Sequence, residues 1–273
     1  MTFNSTSLMS TVRVGAIAAA AIASLVTANT AGAANIAIFG NNNIASFYGG
    51  LAGNTVSIVS DAQLSTSGFL DSFDLFVYTR DGYSFGQGLS TTAAANVKSF
   101  VQGNVVLLNG DFQDDIGQTA TNNLFTNVLN YVASNTKGGY IGEYTGSFAA
   151  FASNADGYSP YSPIGLINGS AGVSGYHEGG SEGEVQVTAA GTASGILAGV
   201  GFPYNPGAVE YGSTVTGVNP AQILAVFDNG NAAIIAGEVQ SLSVTPAVPE
   251  PETYGLFLAG LLTAGFLARR RQA

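Results

Sequence analysis

Three groupings of residues in this chain have types and spacings that could do chemistry. The first is Gly142-Glu143-Tyr144-Thr145-Gly146 followed by Ser147. A Gly-x-x-x-Gly turn between a short apolar run and a small-residue stretch has the layout of a nucleophile elbow, where tight packing demands glycine on both sides of a strained central residue. The second is Asp111, Asp114 and Asp115, which follow an apolar run ending at Leu108. Carboxylates there could ligate calcium, but the twelve-residue EF-hand pattern is absent, so they read as loop and helix-start carboxylates. The third is His177-Glu178-Gly179-Gly180-Ser181-Glu182-Gly183-Glu184, one imidazole among carboxylates. A catalytic zinc site needs three ligands of defined geometry, and a glycine-rich run fixes none, so this reads as a solvated acidic loop. No metal, cofactor or catalytic residue is assigned.

Composition narrows the chemistry further. The sequence has no cysteine and a single histidine, so disulfides, thiolate metal sites and a cysteine nucleophile are excluded within it. Between residues 34 and 248 only Arg80, Lys98 and Lys137 are basic, against fifteen Asp and Glu, a formal charge of −12 with His177 neutral. Such a surface repels phosphate backbones, so nucleic acid is not expected as a partner. Asn41-Asn42-Asn43 follows the first apolar run in a loop, yet without Gly-x-Gly-x-x-Gly or lysine it does not read as a phosphate cradle. Tyrosines 140, 144, 158, 161, 176, 204 and 211 cluster in the second half beside Gly, Ser or Pro. As exposed aromatics they would suit stacking on sugar rings.

The elements that must position these residues show in the hydrophobic pattern. Continuous apolar runs at 35–39, 55–59, 73–78 and 104–108 suit strands buried on both faces. Between later ones lie helical patterns at 90–102, with Val97, Phe100 and Val101 on one face, and at 119–134, with Phe125, Leu129 and Val132 on one face. This βαβ rhythm predicts a three-layer, doubly wound, mostly parallel α/β domain. Further strands are expected at 164–167, 184–188, 223–227 and 232–236, the last two joined as a hairpin through Asp228-Asn229-Gly230-Asn231.

With that order behind it, the 138–152 segment resembles the class I glutamine amidotransferase-like superfamily, whose turn reads Gly-x-Cys-x-Gly. The resemblance implies a flavodoxin-like domain over about residues 34–240. Tyr144 stands where the cysteine would be, and no late His-x-Glu pair occurs between 221 and 239. The resemblance therefore implies a degenerate, non-catalytic relative. The rival reading is a secreted hydrolase using other residues, such as Ser147 or Asp111 with His177.

Both ends read as addresses. Pro249-Glu250-Pro251 is followed by an apolar stretch from Tyr254 to Ala268 and by Arg269-Arg270-Arg271. A fifteen-residue helix would be about 22 Å long, shorter than a comfortable bilayer span, with the arginines held on the cytoplasmic side. These three ordered parts resemble the PEP-CTERM sorting signal of Gram-negative bacteria that make extracellular polysaccharide, which implies a C-terminal transmembrane sorting helix at 249–273, a linker at 241–248 and cleavage by exosortase. At the other end, Arg13, an alanine-rich apolar core and Ala31-Gly32-Ala33 form a signal peptide over residues 1–33 for signal peptidase. The expected product is an exported envelope or extracellular protein, membrane-held as a precursor, with extracellular polysaccharide as a partner.

Overall fold

The structure, a computed structural model, describes residues 33–40, 42–79, 89–135, 138–143, 172–176, 184–204, 209 and 213–239. The chain divides into two units, 1–239 and 240–273, and the second lies wholly outside the described residues. In chain order the elements are β1 (Asn35–Phe39), α1 (Asn42–Gly50), β2 (Thr55–Ile58), α2 (Asp61–Leu64), β3 (Leu75–Tyr78), α3 (Thr91–Phe100), β4 (Asn104–Leu108), α4 (Thr119–Ala133) and β5 (Gly139–Glu143). They continue with β6 (Gly172–Tyr176), β7 (Val185–Val187), α5 (Ala189–Ser194), β8 (Ser213–Thr216), β9 (Ile223–Phe227) and β10 (Ala232–Glu238).

The main sheet runs β2-β1-β3-β5-β4-β10-β9-β7. Its first five strands are mutually parallel, and β10, β9 and β7 add on antiparallel to their neighbours. The domain is thus mixed α/β with a mostly parallel sheet. Strands β6 and β8 pair with each other in a separate antiparallel ribbon.

Period-two alternation splits each central strand between two cores. Leu75 and Val77 of β3 and Val106 and Leu108 of β4 join one core, and Phe76, Tyr78, Val105 and Leu107 join the other. Helices α1 and α4 cover the first core through Ile44, Tyr48, Leu124, Phe125, Val128 and Val132. Helices α2 and α3 cover the second through Leu64, Ala93, Ala94 and Val97. The crossovers through α1 and α4 step toward the β2 end of the sheet, whereas those through α2 and α3 step away from it. Opposite directions on opposite faces give all four the same hand, as the sterics of twisted strands require.

Several expectations need correction. The flavodoxin-like order 2-1-3-4-5 is not the one adopted, because β5 inserts between β3 and β4. Asn41-Asn42-Asn43 does not make a simple loop, since α1 begins at Asn42. Its buried contacts, Ile44, Ala45 and Tyr48, span little more than one turn, too short for periodicity to reveal before Gly49-Gly50 ends the helix. The third strand starts at Leu75 rather than at residue 73, because a 3-10 turn at Phe69–Ser72 runs up to Phe73. The expected strand at 164–167 lies outside the described residues, and the antiparallel hairpin β9–β10 forms as expected. Among the described residues no helix is long and apolar enough to cross a membrane, and the expected sorting helix lies outside them.

Candidate functional site

The register of the parallel strands decides which residues meet at their C-terminal edge. Phe39 pairs with Tyr78, Tyr78 with Gly142, and Leu108 with Glu143. One step on, Gly40, Thr79 and Glu143 therefore fall in one row with Leu108 across β1, β3, β5 and β4, and Asn109 is the next residue beyond it. This is the edge where open α/β sheets hold their ligands. Gly40 has φ +119°, and a Cβ there would lie 1.9 Å from the Thr79 carbonyl oxygen, so only glycine admits so close an approach.

Glu143 is fully buried, Thr79 is 2% exposed and Gln113 1%. A carboxylate so placed must find hydrogen-bond donors. The Thr79 hydroxyl lies 2.9 Å from Glu143 Oε2 and 3.2 Å from Gln113 Oε1, and the Gln113 backbone N–H donates to Glu143 Oε1 at 3.4 Å. One hydroxyl has one proton, so Thr79 serves one acceptor at a time. With Glu143 ionised, the proton goes to the carboxylate, and the Gln113 amide satisfies the triad by turning its NH2 toward Thr79 Oγ1. As placed, Gln113 Nε2 is buried without a partner. Next to them, Asn109 donates from its backbone to the Ala233 carbonyl and from its side chain to the Ala232 carbonyl, which ties β4 to β10.

The carboxylates colour their surroundings. Burial raises the Tyr48 phenol far above its ordinary pKa, and the charge of Glu143 adds to the shift. Its hydroxyl donates to the Phe125 carbonyl at 3.4 Å, linking α1 to α4. Tyr204 is raised mainly by burial, a shift offset in part by its 2.6 Å hydrogen bond with Thr121 and reinforced by Asp115 and Asp111. Asp115 is itself raised, by burial first and then by Asp114, with a hydrogen bond to Tyr204 acting the other way.

Of the residues singled out in the sequence, the structure brings Gly142 to this edge as the penultimate residue of β5 and keeps Asp111 almost buried beside Phe112, at 8% exposure. Asp114 is exposed and Asp115 half-buried. Tyr144, Gly146, Ser147 and His177 lie outside the described residues, as do Ala31, Pro249, Glu250, Pro251, Arg269, Arg270 and Arg271. Ala33 is described just ahead of β1. The tyrosine set is corrected in part: Tyr140 and Tyr204 are buried, at 0% and 1% exposure, and cannot stack on a ligand. Among the described residues no group of three or more His, Cys, Asp or Glu could hold a metal ion.

Sequence reasoning passed over Thr79, Gln113 and Glu143. Thr79 and Glu143 carried a signal, a polar residue closing an otherwise apolar strand (Leu75–Tyr78 then Thr79; Gly139–Glu143). Gln113 carried none, because its approach depends on the 3-10 turn Phe112–Asp115 folding back over the strand ends.

In comparison with known proteins, residues 247–271 match the model of the PEP-CTERM protein-sorting motif. No curated protein and no solved structure matches the chain. The motif implies processing by exosortase of a membrane-anchored precursor on its way out of the cell.

Proposed function

We propose that this is an exosortase-sorted envelope or extracellular-matrix protein whose α/β domain serves by binding or as structure, in a role linked to exopolysaccharide, and not by catalysis. The observation that carries the export half is the PEP-CTERM match at residues 247–271. The non-catalytic half is supported by the chemistry of the strand edge. Its most buried carboxylate, Glu143, is engaged by Thr79 and the Gln113 backbone, and β5 leads to Tyr144, whose phenol is a poor nucleophile at neutral pH. Kinship with the class I glutamine amidotransferase-like superfamily is the finer reading. The parallel βαβ order and the placement of β5 at the centre of the sheet support it, and the exchanged order of β4 and β5 counts against its flavodoxin-like part.

Two measurements test this. Replacing Pro249, Glu250 and Pro251 with alanine leaves export intact but retains an uncut, membrane-bound form in a host that has exosortase. Mass spectrometry of the wild-type extracellular protein then finds a C-terminus upstream of the apolar stretch, and one ending Arg271-Gln272-Ala273 overturns the sorting reading. For the domain, Tyr144→Phe is silent in a panel of hydrolase substrates. Activity in the parent that this change abolishes without unfolding would establish the hydrolase alternative.

A further inference from the structure

At the opposite edge of the sheet, away from Glu143, lies a surface groove of about 440 Å³. Its walls are the segment from Leu64 to Asp71 and the last turns of α3, and its far end is closed by Gln102 and Gly138, which precede β4 and β5. The volume falls within the roughly 300–1,000 Å³ of small-molecule sites.

Two half-buried rings, Phe69 and Phe100, line it, and they have no polar tip. The polar lining is rich in acceptors. Asn96 donates its amide to the Leu64 carbonyl at 2.8 Å, which leaves Oδ1 to accept. Thr66 donates its hydroxyl proton to the Ala62 carbonyl, which leaves its oxygen to accept, and Asp71 adds a carboxylate. Among the described residues no Lys, Arg or His lines the groove. Phosphates, sulfates and uronates find no counter-charge among those residues and meet the Asp71 carboxylate instead. An ammonium ligand would gain most from a desolvated carboxylate, but Asp71 is exposed to water. What remains complementary is a neutral ligand with apolar faces and many hydroxyl donors.

We infer that the groove between the 64–71 segment and α3 binds a neutral saccharide, with Phe69 and Phe100 packing against pyranose faces and Asn96 Oδ1, Thr66 Oγ1 and Asp71 accepting from ring hydroxyls. This deepens the exopolysaccharide reading above and rests on it for biological sense only. Sorting and groove binding are measured separately, so either can fail without the other.

The test is isothermal titration of the full-length protein with cellobiose, maltose, digalacturonate and glucosamine, with affinity electrophoresis through gels containing hydroxyethyl cellulose or dextran. At least one neutral probe binds, and digalacturonate and glucosamine do not compete with it. Phe69→Ala weakens that binding by about tenfold or more. Because loss of a half-buried ring could disturb folding, Ser99→Arg provides the second variant: Ser99 is exposed on α3, and an arginine there fills the groove without touching the core. Loss of binding in Ser99→Arg with an unchanged melt supports the site. Unaltered binding in both variants, preference for the acidic or amino sugar, or no binding of any probe overturns it.

Discussion

The two edges of the same five parallel strands are built on opposite principles. The C-terminal edge is closed by polar side chains, Thr79, Asn109, Gln113 and Glu143, all buried and held by hydrogen bonds. At the N-terminal edge β5 packs tightly against α4. A Cβ on Gly139 would lie 2.4 Å from Val132 Cγ1, so β5 enters the sheet where α4 leaves no space. Asn104, a buried polar residue at the start of β4, ties that edge to α4 by donating to the Tyr131 carbonyl at 2.7 Å and to Ser134 Oγ at 3.2 Å. Satisfying buried polar groups demands several partners at fixed distances, whereas a void-free contact demands only small residues. The C-terminal edge therefore holds its residues through a buried polar network, and at the N-terminal edge β5 is held by tight packing against α4.

Alkali should separate the edges with the largest effect. Tyr131, near the tight edge, is pushed up to about 12 by burial and then by Glu238. Tyr48 and Tyr204, beside the carboxylates, are raised beyond that. A phenol whose folded pKa exceeds its unfolded value, near 10, contributes stability that is complete below pH 10 and lost as pH rises through the folded value. Urea midpoints should thus hold to about pH 10 and fall steeply above it, with tyrosinate absorbance from Tyr131 appearing before that from Tyr48 or Tyr204. A midpoint flat from pH 9 to 12 would remove the assigned burial.

Point changes follow in order of size. Gly40→Val forces a β-branched residue to φ +119° against the Thr79 carbonyl and should cost about 3 kcal/mol or more in urea unfolding. Glu143→Ala strands the Gln113 backbone N–H and leaves the Thr79 hydroxyl only Gln113 Oε1 to donate to, at about 2–3 kcal/mol, while Glu143→Gln keeps an acceptor and costs roughly half as much. Equal losses in the two Glu143 variants would mean that the carboxylate's charge, and not its hydrogen bonds, organises the polar edge. Gly139→Ala at the tight edge should cost about 1–2 kcal/mol, since Val132 can yield in part. Asn104→Ala should fall within about 1 kcal/mol, because it removes two hydrogen bonds together with the buried, unpartnered Oδ1. A loss above that would give Asn104 a weight comparable to the Glu143 triad and blur the contrast.

Legibility in the sequence divides along the same line. Strands β1, β4 and β9 coincide with the apolar runs at 35–39, 104–108 and 223–227, and Phe125, Leu129 and Val132 of α4 are buried as their spacing requires. Those signals are local: a strand buried on both faces is apolar throughout, and a helix on a core is apolar every third or fourth residue. The short helices α1, α2 and α5 were missed because four to nine residues give no period to count. In the candidate site, Gly142 and Asp111 were singled out, but Glu143 was overlooked beside the more conspicuous Tyr144.

By itself the sequence determined the α/β class, the acidic and cysteine-free chemistry, and the C-terminal sorting motif, because composition and contiguous motifs need no partner to be read. Tertiary structure alone decided that β5 lies between β3 and β4, and hence that Glu143 meets Thr79 across 64 positions and Gln113 across 30. Strand order is set by which helix covers which face and by how closely glycine lets each strand approach. Both are relations between distant segments, and no local pattern encodes them.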